Sequence, residues 1–480
     1  MTTPQAAPYR YLVPATWLLV VLLLFWGLGD IPLLSYNEAR RALPTAAMFQ
    51  SGDWLLPRLD GALYLAKPPL FYWLAAIAAH LVGSVSEWAM RLPSAFAALL
   101  TAVLAFRFAR RHFGLLAALF TLQLLLANAG FALFARRAEI EMLLSTLCFA
   151  SLLAALHFVY EAGKRVWLWL SYALLGLAVL TKGPLALIFV TLPLLVLAIC
   201  RPHPRLWLAL RDPWGWLVFL VVGSAWFVAV SYRLGPQIWL STIHHDMVNK
   251  MYGHTGEPVY SYLLWLLADF FPAGLLMLAW PLTRWRRWRE QRGMAERIAL
   301  AVLVPFLLYT AFSDKHAKYL LPLYPWIAIL LGEQLAQLCA AAKRWQRLTL
   351  LTASLVMLAG YSAYYAFAER QVFHYRYSAL QQFQAWKSTQ GNVPLYGFGH
   401  LDERLVFYAG QDIPILDVAA LRRLQAAHAP AFVLHEHGPA QENLGLDCQV
   451  REFQPYLNRK KILTIHGLGA ACQPLPDHPS

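Results

Sequence analysis

Charge is what this sequence has least of. Of its 480 residues only 14% are charged, where a soluble domain carries about 25%, and 59% are apolar. That shortage excludes a soluble globular enzyme, and so apolar a chain is not a disordered one. Cysteine is scarce as well, and five in the whole chain exclude a disulfide-built secreted scaffold. There is no Walker motif and no glycine-rich phosphate loop following a strand, so nothing points to a nucleotide. Internal repeats and low-complexity segments are missing too. Acidic residues are the scarcer sign: 26 Asp and Glu against 40 Lys and Arg leave a net charge of +14. In a soluble protein that excess would suggest nucleic acid; in a chain this apolar, the positions of the basic residues decide its meaning.

What is present is a series of apolar runs of about 18–20 residues, the length a helix needs to cross ~30 Å of hydrocarbon. They fall near 11–28, 88–106, 114–134, 142–160, 167–181, 185–200, 214–232, 260–282, 298–313, 319–338 and 348–367. The fold class expected is a polytopic α-helical membrane protein of about eleven crossings, with thirteen as the upper bound. Basic residues occupy every second loop: Arg107, Arg110 and Arg111; Lys164 and Arg165; Arg201, Arg205 and Arg211; Arg284 to Arg292; and Lys343, Arg344 and Arg347. The positive-inside rule then sets the N-terminus in the cytoplasm and the C-terminal tail on the opposite face. The segment 1–28 reads as a retained first helix rather than a cleaved signal. The stretch 70–83 is apolar but short and reads as a helix lying in the interface or dipping into the bilayer.

Two domains follow from this reading. Residues 1–367 form the transmembrane part, with a long external loop over 29–87. Residues 368–480 form a small α/β soluble domain, with strands expected at Val393–Phe398, Ile413–Val418 and Ala431–Leu434 and a helix at Ala419–Ala427. Cys448 and Cys472 both lie in this tail, on the oxidising side, and are expected to form a disulfide. Cys148, Cys200 and Cys339 read as packing residues.

Few ionisable groups sit on the external rim. The first loop opens Leu34-Ser35-Tyr36-Asn37-Glu38-Ala39-Arg40-Arg41, which reads as a helix start: Ser35 or Asn37 as cap, Glu38 in the first turn, Glu38 paired with Arg41. Later loops hold Arg136, Arg137, Glu139 and Glu141; Lys182 before Gly183-Pro184; His244, His245, Asp246, Lys250 and His254; and Asp314, Lys315, His316 and Lys318. Glu141 reads either as a site carboxylate or as the ion-pair partner of Arg137. Lys182 is either a functional cation or an anchor snorkelling to the interface. Lys315 and Lys318, three residues apart, either clamp one phosphate, with Tyr319 in support, or mark a solvated helix end.

The string YNEARRALPTAAMFQSGDWLLPRLDGALYLAKPPLFYWL resembles the first external loop of the lipid-linked-sugar glycosyltransferases with the C-type fold. Among these it looks like the aminoarabinose lipid A transferases and their protein mannosyltransferase relatives. The resemblance continues through Arg137 to Leu143, through LTKGP at 180–184 and through KYLLPLYP at 318–325. It implies a polyprenyl-phosphate sugar donor, an acceptor on the external face that is a lipid A, another glycolipid or a protein, and catalysis centred on the acidic residue of the first loop. Many members have Asp-Glu where this chain has Asn37-Glu38. Since Asn cannot act as a base, Glu38 is the key carboxylate expected, with Asn37 as its hydrogen-bonding neighbour and Glu141 as the second acidic position. Lys67, before Pro68-Pro69, matches the lysine near the carrier phosphate. Some relatives hold a metal between a glutamate before that lysine and a loop histidine; here the first position is Ala66, so no cofactor or metal is expected, with His245 the one position matching the histidine.

The chemistry asks for the same groups. Breaking the anomeric C–O bond builds negative charge on the leaving phosphate and positive charge on the sugar ring, so cations must face the first and a carboxylate the second. The candidate cations are Arg40, Lys67, Arg137, Lys182, Lys250, Lys315 and Lys318. Direct displacement would invert the anomeric centre. The expected setting is the periplasmic face of a bacterial inner membrane, with membrane lipid as a partner and nucleic acid excluded. A flippase for the same lipid-linked sugar is the rival reading, disfavoured because the charges collect at one rim and no repeat is seen.

Overall fold

The computed structural model of the chain describes residues 11–240, 256–279, 293–340, 342–438, 446, 448–454, 456–458 and 460–472. The expected loop residues His244, His245, Lys250 and His254, and the arginines of 284–292, lie outside the described residues. From the N-terminus come helices α1 (Leu12–Phe25) and α2 (Tyr36–Ser51), the hairpin β1 (Arg58–Leu59) and β2 (Ala62–Leu63), then α3 (Leu70–Val82) and α4 (Glu87–Phe113). They are followed by α5 (Leu115–Leu126), α6 (Ala129–Ala135), α7 (Ile140–His157) and α8 (Arg165–Lys182).

Five helices among the described residues are long and apolar enough to cross a membrane: Glu87–Phe113, Ile140–Glu161, Pro213–Leu234, Met294–Ala311 and Arg344–Val372. The pair α5 and α6, bent by 69° at its break, makes a sixth, while Leu12–Phe25, Leu70–Val82 and Ala186–Cys200 are apolar but shorter. The span that begins at Ile140 has 89% of its apolar stretch buried and runs through the centre of the bundle; Pro213–Leu234 has only 17% and turns its apolar surface outward, as a lipid-facing helix does. Arg110, Arg111 and His112 fill the last turn of α4, where they complement the helix dipole and the basic-loop rule together.

Three of the expected crossings are broken, and the breaks build the rim. In 114–134 the chain bends at Asn128, whose Oδ1 caps α6 by accepting from the Phe131 N–H at 2.8 Å. Gly130 is required there, because a Cβ would stand 2.6 Å from Asp269 Oδ2. Asp269 also accepts from the Tyr324 hydroxyl at 2.5 Å, tying the bend to the helix Tyr324–Leu338. In 260–282 the helix Ser261–Asp269 stops before Pro272. In 319–338 a 3₁₀ segment over Ala317–Leu323, containing Pro322, precedes the α-helix. Proline removes a donor and cannot continue an α-helix, so Lys318 and Tyr319 are delivered on a tight segment at the helix mouth.

The tail carries a five-stranded mixed sheet of order β4-β3-β5-β7-β6. Strands β3 (Leu395–Phe398), β4 (Ile415–Leu416) and β5 (Ala431–His437) are parallel neighbours and coincide with the three expected runs, and the expected helix is Val418–Ala426. The antiparallel strands β6 (Gln449–Phe453) and β7 (Ile462–Leu468) escape the sequence reading for a physical reason. All seven β7 positions are buried, so it lacks the alternation that marks a half-buried strand, and β6 carries a register shift between Gln449 and Arg451. Cys448 and Cys472 are joined by a disulfide with Cα atoms 5.8 Å apart. Both thiols should alkylate only after reduction, as read by mass spectrometry, and removing the bond should cost the tail about 3 kcal/mol; labelling of both without reductant would disprove the pairing.

Candidate active site

The first loop does begin a helix. Ser35 caps α2 by accepting from the Glu38 N–H at 3.0 Å, and the Glu38 carboxylate reaches back to Ser35 N, closing a capping box. Glu38 is fully buried. Its Oε2 accepts from the backbone N–H groups of Leu34 at 3.0 Å and Ser35 at 3.3 Å; its Oε1 accepts from Arg91 Nε at 2.9 Å and from Ala138 N at 3.0 Å. Arg137 Nη1 stands 3.4 Å from Oε2. Burial works to raise this carboxyl, but the guanidiniums of Arg91 and Arg137 outweigh it and hold it lowered to about 2.

The expected ion pair with Arg41 is not formed. Arg91 takes its place and also donates to the carbonyls of Leu28, Ile31 and Pro32, so the whole approach to α2 is wrapped around one guanidinium. Arg137 in turn bonds Glu369 at 2.8 Å, so Glu141 is not its partner. Arg136, buried beside them, donates to the carbonyls of Leu23 and Gly27, so this group holds three guanidiniums and two carboxylates. In this arrangement Glu38 ties the site's framework together, its two oxygens shared among Arg91, Arg137 and three backbone N–H groups.

A second group of charges lies beside this one. Glu139, the residue before α7, accepts from Ser35 Oγ at 2.9 Å through Oε1, and its Oε2 lies 3.6 Å from Lys318 Nζ. Glu141, in the first turn of α7, receives Lys182 Nζ at 3.2 Å and Lys318 Nζ at 3.5 Å on one oxygen. Lys182 is the last residue of α8, which ends because Gly183 has φ +85° and Pro184 follows. Its ammonium lies 4.9 Å from the centre of the Tyr319 ring. Burial, and then the nearby charge of Glu141, raise the Glu139 carboxyl above its usual range and make it a stronger base than an ordinary glutamate.

Arg41 completes this group. It is 6% exposed and donates to the hydroxyl of Tyr72 at 3.0 Å and of Tyr64 at 3.5 Å. Its Nε has no hydrogen-bond partner, and no carboxylate lies within ion-pair distance among the described residues. Two carboxylates thus face three cations, Lys182, Lys318 and Arg41, and the cluster is positive on balance. A positive cluster of this kind suits an anionic group.

Of the residues expected from sequence, Glu141, Lys182, Lys318 and Tyr319 are brought together here. Asn37 is half-buried, and its side chain has no hydrogen-bond partner among the described residues. Arg40 turns outward instead, over the rings of Tyr36 at 4.8 Å and Tyr64 at 5.6 Å, with Nε 3.4 Å from Glu403. Lys67 donates to the carbonyl of Ala66 at 3.0 Å. Lys315 donates to the carbonyls of Phe312 and Glu257, so it does not form a two-lysine clamp with Lys318. Among the described residues no three His, Cys, Asp or Glu side chains are disposed to hold a metal ion. Sequence reasoning missed Glu139, Arg41 and Arg91. The signal for Arg91 was there, since an arginine inside an apolar crossing is costly unless partnered. A cavity of about 610 Å³ lies on the other side of α2, walled by Leu43, Phe49, Arg58, Asp60, Phe407 and Asp412, and contains none of the clustered charges.

Residues 66–232 match the family of dolichyl-phosphate-mannose-protein mannosyltransferases. The chain is 30% identical over 311 residues to undecaprenyl phosphate-alpha-4-amino-4-deoxy-L-arabinose arabinosyl transferase 1 of Sodalis glossinidius, a match covering 62% of this chain and 54% of that one. It is 30% identical over 344 residues to the corresponding enzyme of Pseudomonas aeruginosa strain UCBPP-PA14, covering 67% and 60%. This chain therefore spans only a little over half of these relatives. An uncharacterized protein of Aquifex aeolicus is 26% identical and is matched end to end, over 91% of this chain and 92% of that one. In three dimensions the chain has the fold of ArnT from Cupriavidus metallidurans, solved bound to undecaprenyl phosphate, with a TM-score of 0.77 at 21% identity over 98% and 100% of the two chains. The archaeal oligosaccharyltransferase AglB of Archaeoglobus fulgidus, in complex with an inhibitory peptide and a dolichol-phosphate, superposes with a TM-score of 0.56 at 11% identity over 89% and 69%.

Proposed function

Because this chain resembles the aminoarabinose lipid A transferases and protein mannosyltransferases, and shares the C-type glycosyltransferase fold, we propose that it is a glycosyltransferase. It moves a sugar from a polyprenyl-phosphate donor to a glycolipid or protein acceptor. The reaction takes place at the periplasmic face of a bacterial inner membrane, with about eleven crossings, the N-terminus inside and the tail outside.

One observation carries this reading: the positively biased cluster of Glu139, Glu141, Lys182, Lys318 and Arg41 at the rim of a membrane bundle. The donor phosphate binds against Lys182, Lys318 and Arg41, and charge that develops on it as the anomeric C–O bond breaks is met by cations already in place. Lys67 extends the phosphate contacts, and Lys250, outside the described residues, is a further candidate cation. Glu141 keeps both lysines oriented. Asn37 is left to bond the sugar or the acceptor. A hydroxyl acceptor would give its proton to Glu139, whereas an ionised phosphate acceptor needs no base. In either case attack from the face opposite the phosphate inverts the anomeric centre.

The test is transfer of labelled sugar from a synthetic polyprenyl-phosphate donor by the purified chain in detergent, with mass spectrometry of envelope glycolipids from cells with and without the gene to identify the acceptor. Lys182→Ala combined with Lys318→Ala should lower transfer at least about a hundredfold. Glu139→Gln should remove the acidic limb of the pH–rate profile if the acceptor is a hydroxyl and leave it unmoved if the acceptor is a phosphate. Transfer unaffected by the double lysine variant would overturn this site.

A further inference from the structure

The segment Leu33–Ser35 places the cap of α2, the donors on Glu38 and the hydroxyl that holds Glu139, yet the bundle does not satisfy it alone. Two of its buried backbone groups are completed from the tail, some 370 residues later in the chain. The Leu33 N–H donates to the Tyr408 hydroxyl at 2.7 Å, and that hydroxyl donates onward to Glu87 Oε1, at the start of α4, at 2.7 Å. The Leu34 carbonyl accepts from Arg404 Nη1 at 2.6 Å. Both contacts come from one short helix, Glu403–Ala409.

That helix is fixed in turn to the tail's sheet. Asp402 grips Arg404 with both oxygens, at 2.7 and 2.8 Å, and its own N–H donates to Glu436 Oε1 at 2.8 Å. Glu436 lies on β5 and also accepts from the Tyr456 hydroxyl at 3.0 Å. Tyr377 of the tail packs on Ile31 and Leu34. Without these partners the Leu33 N–H and the Leu34 carbonyl would be buried and unpaired, which backbone groups rarely tolerate.

We infer that Tyr408 and Arg404 of the tail are positioning residues for the transfer reaction, latching Leu33–Ser35 so that Ser35 presents Glu139 and the Glu38 framework stays closed. The inference rests on the functional reading above, and its test has an arm that does not. In the full chain, Tyr408→Phe and Arg404→Met should each speed amide hydrogen exchange at Leu33, Leu34 and Ser35 by at least about tenfold. Turnover should fall by roughly 10–100-fold, as a displacement of about 1 Å does at a reacting centre, with a smaller change in donor KM. Arg404→Lys, which keeps a donor for the Leu34 carbonyl, should restore part of the loss.

A variant lacking Cys448 and Cys472 serves as the control for general loosening of the tail. Assayed below its unfolding transition, it should leave exchange at Leu33–Ser35 and turnover per folded molecule within about twofold of the parent, because the bond shares no partner with the latch. Unchanged exchange in both Tyr408→Phe and Arg404→Met overturns the latch whatever the activity. Faster exchange with undiminished turnover overturns its role in positioning, and so does an equal loss of turnover in the disulfide control. Should the parent chain transfer no sugar, the functional reading falls and the exchange result alone decides the latch.

Discussion

Replacing Glu38 with glutamine is expected to cost the fold about 3–5 kcal/mol, the penalty of removing one partner from a buried ion pair. The reason is on both sides of the bond. Glutamine keeps one acceptor oxygen, but its NH₂ group must face either Arg91 Nε and the Ala138 N–H or Arg137 and the N–H groups of Leu34 and Ser35, which already donate there. Two guanidiniums are left facing one remaining carboxylate, Glu369, inside the protein. Against a net stability of about 5–15 kcal/mol for a folded domain, a loss of that size is visible as a lower yield and a lower unfolding temperature in detergent. Transfer should fall with it. A variant that unfolds at the parent temperature yet transfers no sugar would place Glu38 in the chemistry itself and overturn a purely framework role. The pH dependence has a definite sign. The carboxyl is lowered from 4.5 to about 2 in the folded chain, so the stability it gives is complete above the ordinary carboxylate range and is lost as pH falls through that interval toward about 2. The glutamine variant should lack that acid-sensitive component.

The sequence speaks clearly where the physics is local. Apolar length, basic loops and the Ser35–Glu38 spacing each act over a few residues, so the membrane helices, the α2 start and three of the tail strands are readable without a structure. Lys182, Lys318 and Glu141 are readable for a related reason: a charge at the end of an apolar helix is rare enough to stand out. What local reading cannot supply is partner choice. Glu38 and Arg41 are spaced for an i, i+3 pair, a contact worth only a few tenths of a kcal/mol on an exposed helix. Arg91 and Arg137, 53 and 99 residues away, displace it because in a buried site they offer Glu38 charge-assisted bonds without solvent competition. The same release turns Arg41 toward Tyr64 and Tyr72. Likewise Leu33 and Leu34 look like ordinary loop residues until Tyr408 and Arg404 arrive from the tail. Membrane-rim charges are thus visible as a set in the sequence, but which of them lock one another and which remain for a ligand is decided by the fold.

That division makes Arg41 the most informative single position, because its effects on folding and on binding should have opposite signs. Arg41→Met removes a buried charge that has no carboxylate partner among the described residues, and replacing a buried ion by an apolar side chain of similar length is often neutral or stabilising by about 1–4 kcal/mol. The two phenols lose one donor between them, a smaller effect than the release of a buried charge, so the ligand-free protein should unfold at the parent temperature or above it. Binding should behave differently. A guanidinium that meets a phosphate away from water gives hydrogen bonds worth about 1.5–3 kcal/mol, so affinity for undecaprenyl phosphate should fall by roughly 10–100-fold. On the proposed function this lipid should raise the parent's unfolding temperature, and that shift should shrink accordingly, since it follows ligand concentration over Kd. Arg41→Lys should fall between the two, keeping the charge but losing the planar guanidinium, in which Nη1 alone serves both phenols and Nε is left for a further acceptor. A residue that merely packed the core would show the reverse pattern, with a lower unfolding temperature and an unchanged lipid affinity. Arg41 is therefore proposed to be kept at the expense of stability because an anion binds there, and measuring both quantities on the same variant distinguishes that from packing.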